Sequence, residues 1–447
     1  MHDTATRQEY NYYDRRTETM PRDELQAFQM RKFQTMAATL WAGNGFYRNM
    51  WQQAGISDPR EIASWDDLRK LPFTKKSELV ADQAANGPYG TNLTFPRKEY
   101  VRFHQTSGTT GKPLKWLDTR ESWDWWAKCW CHVLAGAGVQ PGDTIYFAFS
   151  FGPFVGFWAA FEGARKLGAL AIPGGGLNSE ARLNSILDNK PDVVLCTPSY
   201  ALRLAEIAAE HGLNIKDAGV RMTIHAGEPG ASIPATKARI EELWGAKCYD
   251  HCGMTEMGAT GFECQAQPGG VHLIESEFIF EVINPDTGES VNHGEQGELV
   301  ITNLGRVGMP NIRYRTGDRV RYNPETCACG RTFGRLQGGI LGRVDDMICV
   351  RGINIFPSSL ENIIRSFSEI EEFRIEVFRR KGMEELRIKV EFHPSCGETK
   401  EDELVQELFT KLRNQLALRV DVEKVAPGYL PRFELKAKRL VRVEEAV

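Results

Sequence analysis

The sequence predicts an α/β protein with a large N-terminal domain, built from βαβ sheets and a small β unit, and a small C-terminal α+β domain. Three patterns favour this architecture. Apolar runs alternate with amphipathic stretches from residue 120 to about 250, strand-like segments crowd residues 271–322, and residues 358–447 mix helical and strand patterns. A chain of 447 residues is also too long for one hydrophobic core of ordinary size.

The first part of the chain predicts helices followed by βαβ units. Residues 22–40 have helical apolar spacing, and a second, polar helix is expected near residues 66–71. A helix is also expected over residues 200–210. Three short apolar segments predict strands, at residues 144–149, 192–196 and 221–225. This alternation indicates a largely parallel sheet, with ligands at the carboxyl ends of its strands.

The character of the chain changes after Gly261. Turn signals at residues 284–288 and 292–294 divide strand-like segments and predict a small antiparallel unit. The last ninety or so residues predict a small domain with a tail. Its elements are a helix from residue 358, strands at 373–378 and 385–392, and a helix at 402–416. We therefore divide the chain into domains 1–343 and 344–447.

Composition excludes several classes of function. A net charge of -4 and a pI near 6.2 give no electrostatic footprint for nucleic acid or an anionic membrane. The N-terminal residues contain no apolar stretch typical of a secretory signal, so we expect a cytoplasmic protein whose ten cysteines are reduced unless a metal holds them. The sequence leaves the oligomeric state open, a homodimer included.

The sharpest local signal is the segment 106–113, Thr-Ser-Gly-Thr-Thr-Gly-Lys-Pro. Small residues let a backbone approach phosphate oxygens, while hydroxyls, N–H groups and Lys112 supply donors and charge. Pro113 stands where a Walker A loop has serine or threonine. A polar turn between strands is the alternative reading. The segment resembles the phosphate loop of adenylate-forming enzymes, the superfamily of acyl-CoA synthetases, luciferases and peptide-synthetase adenylation domains.

Two further motifs follow in the order of that superfamily. Residues 226–229 resemble the loop that lies against adenine, most closely in the phenylacetate-CoA ligase branch. Residues 249–256 resemble the next element, in which Thr255 would face the phosphate and Glu256 would hold magnesium. For Glu228 alone, a helix-capping role is the alternative.

The remaining motifs concern the ribose and the C-terminal domain. Residues 314–318 resemble the segment whose aspartate, here Asp318, accepts both ribose hydroxyls, although a turn residue is the alternative. Residues 342–345 resemble the ribose-contacting Arg343 followed by the hinge Asp345. Residues 435–439 resemble the tail motif that carries the catalytic lysine, here Lys436. Leu435 stands where glycine is common, so Lys438 is the second candidate; singly, Lys438 and Arg439 could be solvated charges.

The resemblance covers nearly the whole chain and implies an ATP-dependent acyl-CoA ligase. An acid would attack the α-phosphate of ATP to form an acyl-adenylate, with charge neutralised by Mg²⁺ on Glu256 and by Lys436. The C-terminal domain would then swing about Asp345 and present another face to coenzyme A. The implied nucleotide-binding residues are Ser107, Gly108, Thr109, Thr110, Gly111, Lys112, Gly227, Glu228, Pro229, Asp250, His251, Thr255, Asp318 and Arg343.

The acid pocket is predicted to be aromatic. Phe151, Phe154 and Phe157 lie where phenylacetate ligases line their pocket, although core packing is the alternative for most of the aromatic residues in this segment. Gly174 and Gly175 would leave room for a flat ring. The pocket would also include Cys252 and Gly253, with Cys252 at a position that is commonly tyrosine in the branch. We expect an arylacetic or other bulky aromatic acid, such as phenylacetate or indoleacetate.

Two other functions stay open at this point. The same fold could act on an aliphatic acid or use another acceptor, such as an amine. A non-catalytic nucleotide sensor is the alternative from a different class, and the presence of Lys436, Glu256 and Asp318 argues against it.

Four potential metal ligands have an unusual spacing. Cys264 and His272 are followed by Cys327 and Cys329 in a Cys-x-Cys arrangement. Three thiolates and an imidazole close a tetrahedral shell around zinc, which leaves no open position for catalysis. From spacing alone, free buried thiols are an equal alternative. Some phenylacetate-CoA ligase-like enzymes carry a matching set, which implies a structural zinc here.

Overall fold

The structure is a computed structural model that describes residues 11–106, 113–344, 348–350, 353–380, 383–416, 420–434 and 436–443. Its helices are α1 (Arg15–Glu18), α2 (Arg22–Gly43), α3 (Gly45–Gln53), α4 (Trp65–Lys70), α5 (Lys76–Ala85), α6 (Arg120–Ala137), α7 (Trp158–Leu167), α8 (Ser179–Asn189), α9 (Pro198–Glu210), α10 (Pro234–Trp244), α11 (Pro357–Arg365) and α12 (Glu398–Leu416).

The strands include those predicted near residues 144–149, 192–196, 221–225, 373–378 and 385–392. They are β1 (Tyr100–Gln105), β2 (Lys115–Thr119), β3 (Thr144–Phe147), β4 (Leu170–Pro173), β5 (Val193–Cys196), β6 (Met222–His225), β7 (Lys247–Met254), β8 (Gly258–Phe262), β9 (Gly270–Leu273), β10 (Phe278–Ile283), β11 (Gln296–Asn303), β12 (Tyr314–Asn323), β13 (Arg335–Gln337), β14 (Gly342–Arg343), β15 (Ile348–Val350), β16 (Ile353–Ile355), β17 (Ile370–Arg380), β18 (Met383–Phe392), β19 (Asp421–Val425) and β20 (Leu440–Arg442).

The chain folds into two compact units. The first takes the described residues up to Gly176, together with residues 192–195 and 249–339. The second takes residues 177–191 and 196–248 and the described residues from Ile340 onward. The predicted division at residue 343 stays a prediction.

The first unit contains parallel and antiparallel strands. β3 pairs in parallel with β4 and with β5, as the βαβ pattern predicts. The antiparallel strands follow the order β10-β11-β12-β13-β9-β8-β7, which confirms the small β unit predicted after Gly261. The core of this unit includes most of α6, where four tryptophans are nearly buried. The Thr119 hydroxyl caps the start of α6, accepting the N–H of Ser122, and Gly138 with φ +99° ends it.

The second unit contains a four-stranded sheet in the order β19-β18-β17-β20. β17 and β18 form the predicted antiparallel pair, and β20 and β19 add in parallel at the two edges. Helices α11 and α12 cover the sheet with apolar residues that include Leu360, Ile364, Leu408 and Leu412. The prediction that the last residues form a tail is wrong, because β19 and β20 lie there.

Helices of the described residues give no candidate for a membrane span, since none combines sufficient length with sufficient apolar character.

Candidate active site

The predicted phosphate loop connects the strands of an antiparallel hairpin. β1 and β2 pair as far as Gln105 and Lys115. Just beyond, the Leu114 N–H donates to Thr106 Oγ1 at 3.0 Å, and the Thr106 N–H donates to Leu114 O at 2.9 Å. These two bonds clamp the base of the loop. The loop residues Ser107, Gly108, Thr109, Thr110, Gly111 and Lys112 lie outside the described residues.

The predicted phosphate and magnesium residues form the turn of a second hairpin. Thr255 and Glu256 lie between β7 and β8. Glu256 is only 7% exposed, and its Oε1 lies 3.1 Å from the Nζ of Lys76, the first residue of α5. The Glu256 carboxylate therefore has an ammonium partner in this structure, and its role as a magnesium ligand stays a prediction. Lys76 could not be predicted as the ion-pair partner of Glu256, because no sequence motif links the two residues.

The strand before this turn carries four predicted site residues. The Asp250 N–H donates to Glu263 Oε2 at 2.8 Å. His251 Nδ1 lies 2.7 Å from Gly261 O, and burial lowers the pKa of His251 to about 4, so its ring is neutral. A Cβ added at Gly253 would lie 2.7 Å from Gly258 O, so only glycine allows β7 and β8 to approach here.

Cys252 and Asp318 lie within electrostatic range of each other. Burial raises the pKa of Cys252 to about 12, a hydrogen bond with Thr260 opposes the shift, and the carboxylates of Asp250 and Asp318 add to it. Of the predicted pocket residues, Cys252 is thus the one that the Asp318 carboxylate influences. Cys252 is a neutral thiol in this environment.

Asp318 lies at an irregularity between β11 and β12. The pairing register shifts between Glu298 and Val300, opposite Gly317, whose φ is +73°. The Asp318 N–H donates to Thr316 Oγ1 at 3.0 Å, and the Thr316 hydroxyl donates to Leu299 O at 2.8 Å. Bulges commonly redirect side chains beside active sites. This geometry suits a ligand-binding carboxylate better than a turn residue.

The predicted catalytic lysine lies against the predicted adenine loop within the second unit. A Cβ added at Gly227, where φ is +99°, would lie 3.3 Å from Cε of Lys436. Glu228 holds the tail in this position, because its Oε2 accepts the N–H of Ala437 at 2.5 Å. Its Oε1 accepts the N–H of Ser199 at 3.0 Å, so the helix-capping alternative for Glu228 is also realised, in the first turn of α9.

Arg439 is an ion-pair residue rather than a solvated charge. Its Nε and Nη2 donate to the two carboxylate oxygens of Glu372 at 2.6 and 2.9 Å, and its Nη1 donates to Ser199 Oγ at 2.9 Å. Lys436 and Lys438 are both exposed. Arg343 lies in β14 and is exposed, whereas the hinge candidate Asp345 and the residue Leu435 lie outside the described residues.

The predicted pocket aromatics pack on one another. Phe149 contacts Phe154 and Phe157 edge-on, with ring centroids 5.3 and 4.7 Å apart. Phe157 is buried, as expected of a core residue, whereas Phe151 and Phe154 keep partial exposure. A Cβ added at Gly175 would lie 2.6 Å from Cδ2 of Phe151.

The space beside the neighbouring glycine is also occupied. A Cβ added at Gly174 would lie 2.7 Å from Phe147 O and 2.8 Å from Cε1 of Tyr146. These two glycines therefore make room for the protein's own atoms. Phe151 and Phe154 remain the aromatic members of the predicted pocket that a bound acid could reach.

Comparison with protein families decides the class of this site. Residues 70–306, more than half of the chain, match the AMP-binding enzyme family, and residues 352–442 match the AMP-binding enzyme C-terminal domain. The chain belongs to this family. Within it, this AMP-binding enzyme falls in the phenylacetate-CoA ligase-like branch. The chain is 33% identical to a phenylacetate-coenzyme A ligase of Thermus thermophilus over 440 residues, covering 94% of this chain and 97% of the relative.

Two further relatives agree. A phenylacetate-coenzyme A ligase of Escherichia coli is 34% identical over 437 residues, covering 96% of this chain and 97% of that protein. Among solved structures, 2-hydroxyisobutyryl-CoA ligase in the postadenylation state matches with a TM-score of 0.92 and 33% identity, covering 99% of this chain and 94% of that one. The expected fold class is thereby confirmed.

The four predicted zinc ligands lie close together in the structure of this AMP-binding enzyme. All four side chains are buried, and the candidate ligand atoms of Cys264, His272, Cys327 and Cys329 lie within 4.8 Å of one another. The sulfur atoms of Cys264 and Cys327 are 3.7 Å apart, and Cys329 Sγ lies 3.5 Å from His272 Nε2. Zinc–ligand bonds of about 2.3 Å to sulfur and 2.0 Å to nitrogen place tetrahedral ligands at about these separations.

The donor chemistry of the cluster fits zinc as well. His272 Nδ1 lies 2.9 Å from Phe333 O, which leaves Nε2 facing the cysteines. Hydrogen bonds from the Cys264 thiol lower the pKa of Cys327 and of Cys329, and the same bonds raise the pKa of Cys264. Without a metal, the cluster therefore favours thiolates at Cys327 and Cys329 and a thiol at Cys264. Gly330, with φ +85°, forms the tight turn after the Cys-x-Cys segment.

Proposed function

We propose that this AMP-binding enzyme is an ATP-dependent acyl-CoA ligase for an aromatic acid of arylacetic type. The enzyme class, an AMP-forming acid–CoA ligase, follows from its family and branch. The acid and ATP give an acyl-adenylate and pyrophosphate, and coenzyme A then takes the acyl group and releases AMP. The observation that carries the proposal is the position of Lys436 over Gly227, with Glu228 binding the next amide of the tail.

This contact explains how the chain could catalyse the first step. The substrate carboxylate attacks the α-phosphorus, a P–O bond forms, and the bond to pyrophosphate breaks. Negative charge develops on the transferring group, and the Lys436 ammonium would stabilise it from beside the adenine loop. Thr255 and Glu256 would hold the magnesium ion that neutralises the triphosphate, and Asp318 would fix the ribose. No side-chain nucleophile is needed.

The second step requires Lys436 to give way to coenzyme A. We propose that residues 344–447 turn about Asp345 between the two steps. A solved relative supports this, because 2-hydroxyisobutyryl-CoA ligase has been crystallised both in a postadenylation state and, with coenzyme A, in a thioesterification state. The turning movement would withdraw Lys436 and free the surface that coenzyme A approaches.

The aromatic acid is supported by Phe151 and Phe154 and by the phenylacetate-coenzyme A ligases among the relatives. A second candidate is a small hydroxy acid. It is favoured by the similarity to 2-hydroxyisobutyryl-CoA ligase and by the filled space beside Gly174 and Gly175.

A panel of acids separates these candidates. CoA-dependent AMP release should be measured with phenylacetate, indoleacetate, benzoate, 2-hydroxyisobutyrate, hexanoate and acetate. Arylacetates should give the highest kcat/KM, because a ring buries more apolar area in the pocket. Preference for a short aliphatic acid would reject the aromatic assignment. If none of the acids gives CoA-dependent AMP release, the ligase assignment itself is rejected.

We further propose a structural zinc ion held by Cys264, His272, Cys327 and Cys329. The shell is complete with four protein ligands, so the ion would have no open position for substrate. Its role would be to tie the segment after the Glu256 turn to the segment after β12. The proposal also places the enzyme in the cytoplasm, where ATP and coenzyme A are both available.

A further inference from the structure

A single guanidinium binds the backbone of the magnesium turn. Arg306 Nη1 donates to Thr255 O at 2.7 Å and lies 3.2 Å from Glu256 O. Asn311 Nδ2 also donates to Glu256 O, at 2.7 Å. Carbonyl groups in a buried turn need partners, and here side chains provide them. The position of Thr255 and Glu256 therefore depends on where Arg306 is held.

The other edge of the guanidinium is bound by a carboxylate. Nε and Nη2 of Arg306 donate to the two oxygens of Asp118 at 2.7 and 2.9 Å, and both side chains are completely buried. His104 lies 3.9 Å from Asp118, but burial lowers the pKa of His104 to about 4, so its ring is neutral. Arg306 thus balances the charge of Asp118, and the paired hydrogen bonds fix the plane of the guanidinium.

Two indole rings complete the environment of this cation. The guanidinium carbon of Arg306 lies 4.9 Å from the ring centroid of Trp116 and 5.1 Å from that of Trp126. Removing an ion pair from water is costly, and apolar residues of similar size commonly give equal or greater stability. Stability alone therefore does not account for the pair, whereas precise placement of the turn does.

The pair also connects two segments of the site. Asp118 lies in β2, the strand that leaves the phosphate loop, and Arg306 follows β11. Through Arg306, the strand behind the phosphate loop is bonded to the Thr255–Glu256 turn.

We propose that Arg306 is a positioning residue for adenylation, which holds the magnesium turn in register with β2 through Asp118. The inference rests on the proposed function, in which Glu256 is a magnesium ligand. Arg306 touches neither ATP nor the acid in this proposal. Its effect reaches the reaction through the backbone of Thr255 and Glu256.

The test measures metal affinity separately from turnover. Mn²⁺ binding is measured by EPR with the protein in excess over a non-hydrolysable ATP analogue. A protein-free sample is the reference, because the nucleotide alone also binds Mn²⁺ and removes its free-ion signal. Arg306→Met should weaken Mn²⁺ binding about tenfold or more, the range typical of residues that orient metal ligands. Arg306→Lys should restore part of the affinity. Formation of acyl-CoA from a synthetic acyl-adenylate should stay near the wild-type rate, because that step does not use the triphosphate.

Arg331→Met is the matched control. Arg331 is also buried, pairs with Glu18 at 2.6 Å, and lies 4.6 and 5.2 Å from the rings of Tyr12 and Phe262. No bond from Arg331 to Thr255 or Glu256 is seen among the described residues. Its loss should lower stability without changing Mn²⁺ affinity. If Arg306→Met does not fold, Asp118→Asn, which keeps the volume of the side chain, provides the same measurement.

The outcomes separate this inference from the proposed function. Weakened Mn²⁺ binding in Glu256→Gln together with unchanged binding in Arg306→Met and Asp118→Asn would overturn the inference alone. Equal losses in both half-reactions, with unchanged Mn²⁺ binding, would make Arg306 a core residue only. Unchanged binding in Glu256→Gln would remove the magnesium assignment on which the inference rests.

Discussion

At the scale of single residues, several contacts join positions that lie far apart in the sequence. Lys436 covers Gly227, Glu228 binds the amide of Ala437, and Lys76 pairs with Glu256. The first two join residues that sequence motifs already single out. Lys76 belongs to no motif and could be found only from the folded chain.

The zinc proposal belongs to this scale. Cys329→Ser should lower the melting temperature and the zinc content, because a structural zinc contributes directly to folding. The loss of one thiolate should cost several kcal/mol, on the order of that of other buried structural ligands. Protein purified without a histidine tag or added metal should be analysed for zinc.

Cys396→Ser is a suitable control, because Cys396 is half-buried and packs in the core of the second unit, whereas the four ligands belong to the first. Less than about half an equivalent of zinc, together with unchanged melting of Cys329→Ser, would leave the four residues as ordinary core groups.

At the scale of elements, regular patterns were predictable and short edge strands were not. The apolar spacing of α2 and the apolar runs of β5 and β6 carry their own signal, and the structure places these elements within a few residues of the predicted ranges. β20 has three residues and depends on pairing with Ile375 to Val377 of β17. Its sequence alone does not distinguish it from a tail.

The site follows the same rule. The grouping of Cys264, His272, Cys327 and Cys329 could be predicted because the family resemblance implies a matching ligand set, whereas spacing alone left free thiols as an equal alternative. The Arg306–Asp118 pair joins β2 to the segment after β11, and no local spacing predicts it. The glycines at 174 and 175 were predicted to leave space for a flat ring. In the structure, side chains and backbone of the protein itself occupy that space.

A pH-dependent contact of α9 gives a prediction at this scale. Glu206 is 22% exposed, and it lies 3.2 Å from Arg203 and 3.7 Å from Arg432. Burial raises the pKa of Glu206 to about 7, Arg432 and Arg203 oppose the shift, and the nearby carboxylate of Glu371 adds to it. Because the pKa of Glu206 is higher in the folded state than in the unfolded state, the protonated carboxyl favours the folded state. This contribution to the free energy of unfolding is complete below about pH 4.5 and is lost as pH rises toward 7.

Glu206→Gln should remove this dependence. The variant keeps a neutral side chain at every pH, so its melting temperature relative to wild type should rise between about pH 4.5 and 7 and then level off. Thermal melting across this range is the measurement, with Glu210→Gln, an exposed residue of the same helix, as control. A difference between wild type and variant that does not change with pH would contradict the raised pKa.

At the scale of the whole molecule, one chain has to perform two chemical steps with different requirements. In the proposed mechanism, adenylation needs Lys436 beside the predicted adenine loop, whereas thioester formation needs space for coenzyme A. The first of these arrangements is visible within the second unit, where Glu228 and Ser199 bind the tail through Ala437 and Arg439. A ligase of this family can meet both requirements if the contacts of the tail form for one step and break for the other.

The measurement that tests this account most directly is the rate of each half-reaction in Lys436→Ala. Adenylation should be followed as acid-dependent pyrophosphate release, and thioester formation as acyl-CoA produced from a synthetic acyl-adenylate. We expect adenylation to fall by on the order of 10²–10³-fold, the typical loss when a transition-state charge is left without its partner, while thioester formation stays near wild type. Lys438→Ala is the matched control and should keep both activities. Equal losses in both half-reactions of Lys436→Ala would contradict the assignment of Lys436. Full adenylation by Lys436→Ala, together with lost adenylation in Lys438→Ala, would contradict it as well.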